Sequence, residues 1–377
     1  MKNFNIIRCL SFVVGAQLAL GLGSCSLMHD DLPECATQPD TQTRVKFVYD
    51  YNTRGENLFP ELVGAVTLYV FDQDGKLIRE IESTAASADL SDPAFAVNLD
   101  IAPGKYKLYA VATDNPDGYE AELLTEGAKF RRGQLLAGDL IDAYSISLDH
   151  NSGLVEHQNH MLPMLWTTHT AQDLTVTEAP IPAEGDPQPE DVLIEAVVPL
   201  IRVTNLVHLS ILRDTDRPRP RTDLTRAIAN PDGYEVQIVT ATGRDRIDIL
   251  ANPLTDATPL VYTPHAKGVG TDEDGREVVT AEIGTSRFII PDDPANADRL
   301  RIFVKRTGEV FEFPLEDMLV KAKSLYEGQT WSDQEFLDRE YEYSIKVTLN
   351  ELEDEWKYID ISVGQHSWVV RIQNVDL

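Results

Sequence analysis

The sequence has few basic residues for its size. Its 377 residues include 33 Lys and Arg against 62 Asp and Glu, which gives a formal net charge of −29. Such a field repels a phosphate backbone, so the composition argues against nucleic-acid binding, and attraction to anionic lipid headgroups is equally poor. Apolar residues make up 42% of the chain, which is typical of a folded extracytoplasmic protein and not of a disordered one.

Long apolar runs are also scarce, and the clearest one covers residues 10–23, just after the basic residues Lys2 and Arg8. Roughly 14 residues rise about 21 Å as a helix, at ~1.5 Å per residue, which is short of a ~30 Å hydrocarbon core. This geometry predicts a signal peptide over residues 1–24 and not a membrane-spanning helix. Its removal leaves 31 Lys and Arg against 62 Asp and Glu, because residues 1–24 carry two basic residues and no acidic one.

The apolar run ends at a cysteine, where a plain secretory signal would end in an Ala-x-Ala-like site. Leu22, Gly23 and Ser24 stand immediately before Cys25, and this pattern resembles a bacterial lipobox. The resemblance implies recognition of the three residues by signal peptidase II, cleavage before Cys25, and acylation of that residue by diacylglycerol and a further chain such as palmitate. Two or three acyl chains anchor a protein firmly. The alternative is an ordinary signal with a free cysteine nearby.

Cysteine is rare, with three residues in the chain, Cys9, Cys25 and Cys35. Since Cys9 leaves with the signal and Cys25 is lipidated, Cys35 has no intrachain partner. The count therefore excludes a disulfide framework and a cysteine zinc site. Cys35 is either a free thiol or paired with another molecule, and it lies in the polar, proline-bearing stretch 25–43, which we interpret as a lipidated tether.

Strand patterns dominate the remaining sequence. The segment RVKFVYDYN alternates apolar and polar positions, and in YEYSIKVTLN the residues Tyr343, Ile345, Val347 and Leu349 share one face. Asp-Gly at 74–75 and Thr-Gly at 307–308 predict hairpin turns. Helical spacing is confined to LEDMLVKAKSLY and, weakly, to residues 119–136. Many short strands and few short helices predict an all-β protein built of β-sandwiches.

About 350 mature residues predict two domains. Residues 180–191, PIPAEGDPQPED, are rich in proline and acid and lack periodicity, which is typical of a linker. We therefore expect an N-terminal β-sandwich domain over residues 44–185 and a C-terminal one over residues 186–377.

Candidate metal and catalytic residues do not form a recognisable site. Four histidines, His150, His157, His160 and His169, fall in a stretch that favours a loop and a strand over a rigid metal site. The acidic stretches DQDGK and TDEDGRE each lack a ligand position of a calcium loop and are typical of hairpin turns. A Gly-x-Ser-x-Gly elbow and a phosphate-binding loop are absent from the sequence. We expect no catalytic residue, metal, cofactor or small-molecule substrate.

Four segments in order carry a family resemblance: DDLPEC shortly after the lipobox, then RVKFVYDYN, LYVFDQDGKLI and APGKYKLYAVA. Together with the closing WVVRIQNVDL, they are similar to the FimB/Mfa-type fimbrial anchor family of Bacteroidetes-type bacteria. The resemblance implies two tandem transthyretin-like β-sandwich domains and a place at the base of a fimbrium. His29, Asp30 and Asp31 are similar to the signal that sends such lipoproteins to the cell surface.

The resemblance also raises a conflict at the first strand. Shaft subunits of the superfamily lose an N-terminal strand to an arginine-specific protease, and the resulting groove takes a donor strand from a neighbour. Cleavage at Arg44 or Arg54 of this chain would separate the lipid on Cys25 from the folded body. We therefore expect the 44–52 strand to stay in its own sheet, and the C-terminal strand ending at Leu377 is one candidate for the contact with the shaft.

The sequence thus predicts a non-enzymatic, surface-exposed outer-membrane lipoprotein that anchors a fimbrium, holds its first shaft subunit through β-strand contacts and limits its length. One alternative is a surface glycan-binding lipoprotein, which would need exposed aromatic residues along a groove. Its four tryptophans are spread along the chain at Trp166, Trp331, Trp356 and Trp368. Another alternative is an accessory or tip subunit of the fimbrium.

Overall fold

The computed structural model describes residues 41–114, 129–156, 160–178, 191–214, 229–364 and 369–373, and these are mostly β. The strands of the first part are β1 (Thr41–Val48), β2 (Ala65–Phe71), β3 (Leu77–Thr84), β4 (Val97–Leu99), β5 (Gly104–Thr113), β6 (Phe130–Arg132), β7 (Ile146–Leu148), β8 (Leu154–Val155), β9 (Leu165–Thr168), β10 (Gln172–Val176) and β11 (Val192–Arg202).

The second part of the chain continues in the same way. Its strands are β12 (Thr204–Arg213), β13 (Tyr234–Gly243), β14 (Arg246–Ile247), β15 (Pro259–Tyr262), β16 (Ala266–Thr271), β17 (Glu277–Ser286), β18 (Arg299–Val304), β19 (Val310–Pro314), β20 (Glu342–Leu349), β21 (Trp356–Val363) and β22 (Val370–Gln373). The α-helices are α1 (Phe59–Leu62), α2 (Leu315–Leu319) and α3 (Asp333–Arg339), and 3₁₀ turns cover Ile141–Ala143, Pro231–Gly233, Pro294–Asn296 and Val320–Leu325.

The strands of the described residues form four sheets. An eight-stranded sheet has the order β3-β2-β5-β9-β11-β1-β4, with β10 also paired to β5. A six-stranded sheet runs β16-β17-β12-β20-β21-β22, and a five-stranded sheet runs β19-β18-β13-β15-β8. The smallest sheet is β14-β7-β6.

The eight-stranded sheet is covered on both faces around β2 and β5, and every residue of β2 is buried. On one face Val66, Leu68 and Leu108 share a core with the side chains of β1 and β11. On the other face Tyr69 and Val111 share a core with residues of the small sheet. Burial on both faces explains why this segment reads as a continuous apolar run and not as an alternation.

A second large core lies between the six-stranded and five-stranded sheets. It combines Val207 and Ile345 of the first with Ile238 and Ile302 of the second, and α2 adds Met318. Alternate residues of both sheets point into this core, which is the arrangement of two packed sheets.

Several sequence-based predictions agree with the structure. In β20 the four predicted inward residues, Tyr343, Ile345, Val347 and Leu349, are all buried. Gly308 adopts φ +79° between the antiparallel strands β18 and β19, as a hairpin turn requires. The predicted helix near residue 315 is α2 with the 3₁₀ turn that follows it. The helix suggested for residues 119–136 is wrong in its described part, where β6 is a strand, and residues 119–128 lie outside the described ranges.

The chain passes between the sheets more than once. β11 follows the predicted linker and pairs with β1 and β9 of the eight-stranded sheet, whereas β8 precedes the linker and pairs with β15. The division into domains at residues 185 and 186 stays a prediction.

Candidate functional site: the first strand and the open sheet edges

The first strand, β1, occupies an inner position in its sheet. It runs parallel to β11 along its whole length and antiparallel to β4 from Thr43 to Val45. The backbone of Arg44 therefore lies between Glu195 on one side and Asn98 on the other. A protease must bind its substrate as a free extended segment, so the peptide bond after Arg44 is inaccessible while the sheet is intact.

The loop after β1 carries the second arginine, Arg54, and is held by a buried asparagine. The Asn52 side-chain amide donates to the carbonyls of Tyr49 at 3.0 Å and Glu56 at 2.8 Å, and its oxygen accepts from the Arg54 N–H at 3.0 Å. The Arg54 side chain points outward, with ion pairs to Glu56 at 2.7 Å and Glu61 at 3.6 Å. The side chain is thus exposed, but its backbone is fixed in a turn.

Arg339, the last residue of α3, ties this loop to the second half of the chain. The Thr53 N–H donates to the Arg339 carbonyl at 3.2 Å. The guanidinium lies 4.1 Å from the centroid of the Tyr51 ring and 5.3 Å from that of Trp331. The His169 ring lies 4.0 Å from Tyr51. Such cation–π and ring contacts fix the start of the folded body against α3.

The described part of the C-terminal strand, β22, forms one edge of the six-stranded sheet and is clamped there. Arg371 donates through two nitrogens to both carboxylate oxygens of Asp360 on β21, at 2.6 and 2.8 Å. Asp360 is only 3% exposed, and the Arg371 guanidinium also lies 4.2 Å from the centroid of Tyr358. Bidentate pairs of this kind are strong and directional. The outer side of β22 has no partner strand among the described residues.

A row of histidine and glutamate side chains crosses the same sheet. The sequence alone does not predict this row. His208 Nε2 lies 3.1 Å from Glu342, its Nδ1 lies 3.7 Å from Glu282, and Glu282 lies 3.3 Å from His265 Nε2. The Glu342 carboxylate raises the pKa of His208, whereas burial lowers the pKa of His265. Strand pairing brings these residues together, since His208 and Glu282 are direct cross-strand neighbours.

Two of the four candidate histidines, His150 and His169, have structural partners in the protein. His150 Nε2 lies 3.2 Å from Asp245, and its Nδ1 accepts from the Gly153 N–H at 2.9 Å. His169 stacks on Tyr51, and His157 lies outside the described residues. Over the described ranges, no three His, Cys, Asp or Glu side chains converge in a metal-binding arrangement.

The two acidic stretches form hairpin turns, as their sequences predict. One oxygen of Asp72 accepts from the backbone N–H groups of Asp74 and Lys76, both at 2.9 Å. Asp272 makes the corresponding two bonds at 3.1 and 2.8 Å. These carboxylates stabilise turns by bonding to backbone N–H groups.

The described tryptophans pack against the protein. Trp166 is fully buried, Trp331 lies beside Arg339, and Trp356 meets the edge of Phe313 with ring centroids 5.4 Å apart. Trp368 lies outside the described residues. These three rings therefore do not form an open row along a groove.

The residues assigned to lipidation and export lie outside the described ranges. They are the lipobox residues Leu22, Gly23 and Ser24, the lipidation residue Cys25, and the export residues His29, Asp30 and Asp31. Among the described helices, none is long and apolar enough to cross a membrane.

The fold is similar to that of several solved structures of bacterial proteins. It is similar to a proposed adhesin of Bacteroides thetaiotaomicron, with a TM-score of 0.66 and 24% identity over 90% of this chain and 99% of the other. A proposed polysaccharide-binding protein of the same species gives a TM-score of 0.64 and 22% identity over 90% of this chain and 100% of the other. The fimbrial anchor protein Mfa2 of Porphyromonas gingivalis gives a TM-score of 0.53 and 16% identity over 87% of this chain and 98% of the other.

The profile of the fimbrillin-A associated anchor proteins Mfa1 and Mfa2 matches residues 32–374. The chain belongs to this family, which confirms the resemblance found in the sequence. It is therefore a fimbrial anchor or adhesin-like protein of a family associated with the cell surface. No curated protein matches the sequence closely enough to add a more specific assignment.

Proposed function

We propose that this protein is a lipoprotein that anchors the base of a fimbrium in the outer membrane and holds the first shaft subunit through β-strand contacts. The observation that carries the proposal is the inner position of β1, paired on both sides. Because β1 begins at Thr41, within the last residues of the predicted tether, a folded body with β1 uncut remains covalently joined to Cys25. A subunit that kept its lipid in this way would stay at one end of the fimbrium.

The attachment itself is proposed to depend on the N-terminal residues. Signal peptidase II would recognise Leu22, Gly23 and Ser24, and the acyl chains on Cys25 would hold the protein in the membrane. His29, Asp30 and Asp31 would direct it to the cell surface. The negative charge of the chain would add no attraction to anionic lipids, so the lipid would supply the membrane binding.

The body is proposed to consist of two tandem transthyretin-like β-sandwich domains without enzymatic activity. Its contact with the first shaft subunit would end growth, because a lipid-held subunit cannot be displaced along the fimbrium. The anchor would thereby also limit fimbrial length.

A Cys25→Ala variant tests the proposal on cells. We expect it to leave the outer-membrane fraction and the cells to shed their fimbriae, as in a deletion strain, because acylation at residue 25 is the proposed attachment. Cys35→Ala is the matched control and should keep both the membrane fraction and the fimbriae. Normal fimbriae in the deletion strain, seen by negative-stain microscopy, would refute the anchoring role.

A glycan-binding lipoprotein is the second candidate, supported by the similarity to a proposed polysaccharide-binding protein. The packing of Trp166, Trp331 and Trp356 against protein groups favours the anchor instead. Retardation of the purified chain in glycan affinity gels would favour the glycan-binding lipoprotein over the anchor. An accessory or tip position in the fimbrium would instead require that the protein be found away from the cell end.

A further inference from the structure

We propose that β16 is a docking edge that accepts an extended strand from another protein. β16 closes one side of the six-stranded sheet and, among the described strands, pairs only with β17. This edge is separate from β22, which closes the opposite side of the same sheet.

The backbone of β16 directs unused hydrogen-bonding groups away from the sheet. The Asp272 N–H donates to the Arg276 carbonyl at 2.9 Å, which fixes the alternation of the antiparallel ladder between β16 and β17. Lys267, Val269 and Thr271 therefore point their N–H and C=O groups outward. An incoming strand can pair with these groups.

Other long edges of the molecule carry residues that oppose strand addition. β3 contains the charged residues Arg79, Glu80 and Glu82, and β19 contains Glu312 and ends at Pro314. Charges and proline are the usual means by which proteins protect an edge. β16 has neither an acidic residue nor a proline.

The one charged side chain of β16 is turned away from the edge. Lys267 Nζ donates to the backbone carbonyl of Tyr234 at 2.8 Å, and Tyr234 begins β13 in the facing sheet. Burial of the ammonium there lowers the pKa of Lys267. The positive charge consequently lies toward the facing sheet and not over the outward N–H and C=O groups of β16.

The two faces of β16 indicate which strand would fit. On the core side Val269 pairs with the buried Val279 but is itself 47% exposed, so an apolar neighbour would extend the core. On the outer side Gly268 and Gly270 present no side chain, and a Cβ at Gly270 would lie 2.9 Å from Thr280 Cγ2. A large ring of the incoming strand can lie flat across these glycines.

The charges near the edge select the partner. Glu282 lies opposite Ala266, Glu277 lies opposite Thr271, and the whole chain has a formal charge of −29. A second copy of the chain would be repelled, whereas a strand whose apolar residues alternate with basic ones would be attracted. We assign the occupant as such a strand of a different protein. Its identification with the first shaft subunit rests on the proposed anchoring function.

Two variants at Val269 distinguish the contribution of its backbone N–H to strand binding from the contribution of its side chain. Val269→Pro removes an outward N–H without removing a bond to β17, and Val269→Ala keeps the N–H but shortens the side chain. The probe is a fluorescent eight-residue peptide of alternating valine and lysine, added to the full mature chain. We expect Val269→Pro to weaken binding about tenfold and Val269→Ala to weaken it at most about threefold.

Equal binding by both variants, or no saturable binding to the unaltered chain, would overturn the proposal. If Val269→Pro does not fold, hydrogen exchange on the unaltered chain replaces it. Slower exchange of residues 266–271 with the peptide would support the docking edge, whereas protection confined to residues 370–373 would overturn it. Self-association through β16, seen by sedimentation, would overturn the choice of occupant.

The same reagents distinguish this proposal from the anchoring role. If a deletion strain keeps normal fimbriae while the peptide still protects β16, the anchoring role fails and the docking edge stands. If the deletion strain sheds fimbriae while Val269→Pro binds a purified shaft subunit as well as the unaltered chain does, the docking edge fails and the anchoring role stands.

Discussion

A pair of buried carboxyl groups joins β18 to α2. The Asp298 N–H donates to the Glu316 carboxyl at 2.9 Å, and the Asp298 carboxyl accepts from the Ala241 N–H at 3.0 Å. Both residues are 1% exposed. Burial, together with the neighbouring Asp298, raises the pKa of Glu316 to about 8. Burial also raises the pKa of Asp298, and the nearby Arg244 partly opposes that shift. Glu316 therefore keeps its proton to a higher pH than an exposed glutamate does.

This residue makes stability depend on pH. The folded state holds the proton of Glu316 more tightly than the unfolded state does. The contribution of this proton to the free energy of unfolding is therefore complete below about pH 4.5 and is lost as the pH rises through about 8. Glu316→Gln should abolish most of this decline, since glutamine keeps the shape and cannot ionise. Urea unfolding between about pH 5 and 9 measures the effect, with the exposed Glu309→Gln as control. If the free energy of unfolding varies with pH in the same way for Glu316→Gln and for the unaltered chain, Glu316 is not the source of the pH dependence.

The pair of Arg371 and Asp360 gives a second prediction for a single residue. Arg371→Ala leaves the carboxylate of Asp360 buried without its main partner, and we expect a loss of about 1–3 kcal/mol in the free energy of unfolding. Hydrogen exchange at residues 370–373 should accelerate as well. The control is Arg301→Ala, because Arg301 and Glu312 form an exposed pair worth less than about 1 kcal/mol. Equal losses in the two variants would contradict the clamp.

At the scale of the element, β1 and its loop decide whether the chain stays joined to its tether. We expect an arginine-specific protease to leave the folded protein uncut after Arg44, because that bond lies between two strands. Asn52→Ala should expose the bond after Arg54 and accelerate its cleavage, since Asn52 makes the bonds that hold the turn. Mass spectrometry of timed digests gives the answer. A rapid product starting at residue 45 in the unaltered protein would refute this expectation.

The elements that the sequence predicted well have local causes. β20 alternates because one of its faces is buried, and the hairpin at Gly308 needs a residue that tolerates positive φ. β11 shows the limit of this reasoning, because its partner β1 lies about 150 residues earlier in the chain. Lys46 meets Glu195 at 2.8 Å, and local periodicity does not specify such a parallel pairing.

α3 is absent from the sequence-based predictions, although its start has a recognisable signal. Ser332 caps the helix by accepting from the Glu335 N–H at 3.1 Å, and Ser-x-x-Glu is the pattern of a capping box. The helix is only seven residues long, so its hydrophobic periodicity is too short to detect. The contacts of Arg339 with Tyr51 and Thr53 depend on the tertiary fold and could not be predicted from spacing.

At the scale of the whole molecule, the order of the sequence motifs identifies the family but does not predict which sheet edges are exposed. The lipobox and the strand motifs are read directly from the chain. The family match over residues 32–374 agrees with the strand motifs, whereas the lipobox lies outside it and stays a prediction. The open edges of β16 and β22 arise only when strands that are far apart in the sequence assemble in the order β16-β17-β12-β20-β21-β22. Which edge is exposed is therefore a property of topology, which alternation alone does not encode.

The parallel pairing of β1 with β11 has a mechanical consequence. A load that enters from the tether pulls along β1, and its eight registered positions against β11 share that force in shear. A load applied at the tip of the β2–β3 hairpin would instead peel its bonds apart one after another. In optical tweezers we expect rupture at higher force when the chain is held by its tether than by a cysteine placed at Asp74. An anchor built in this way would withstand drag on a long filament.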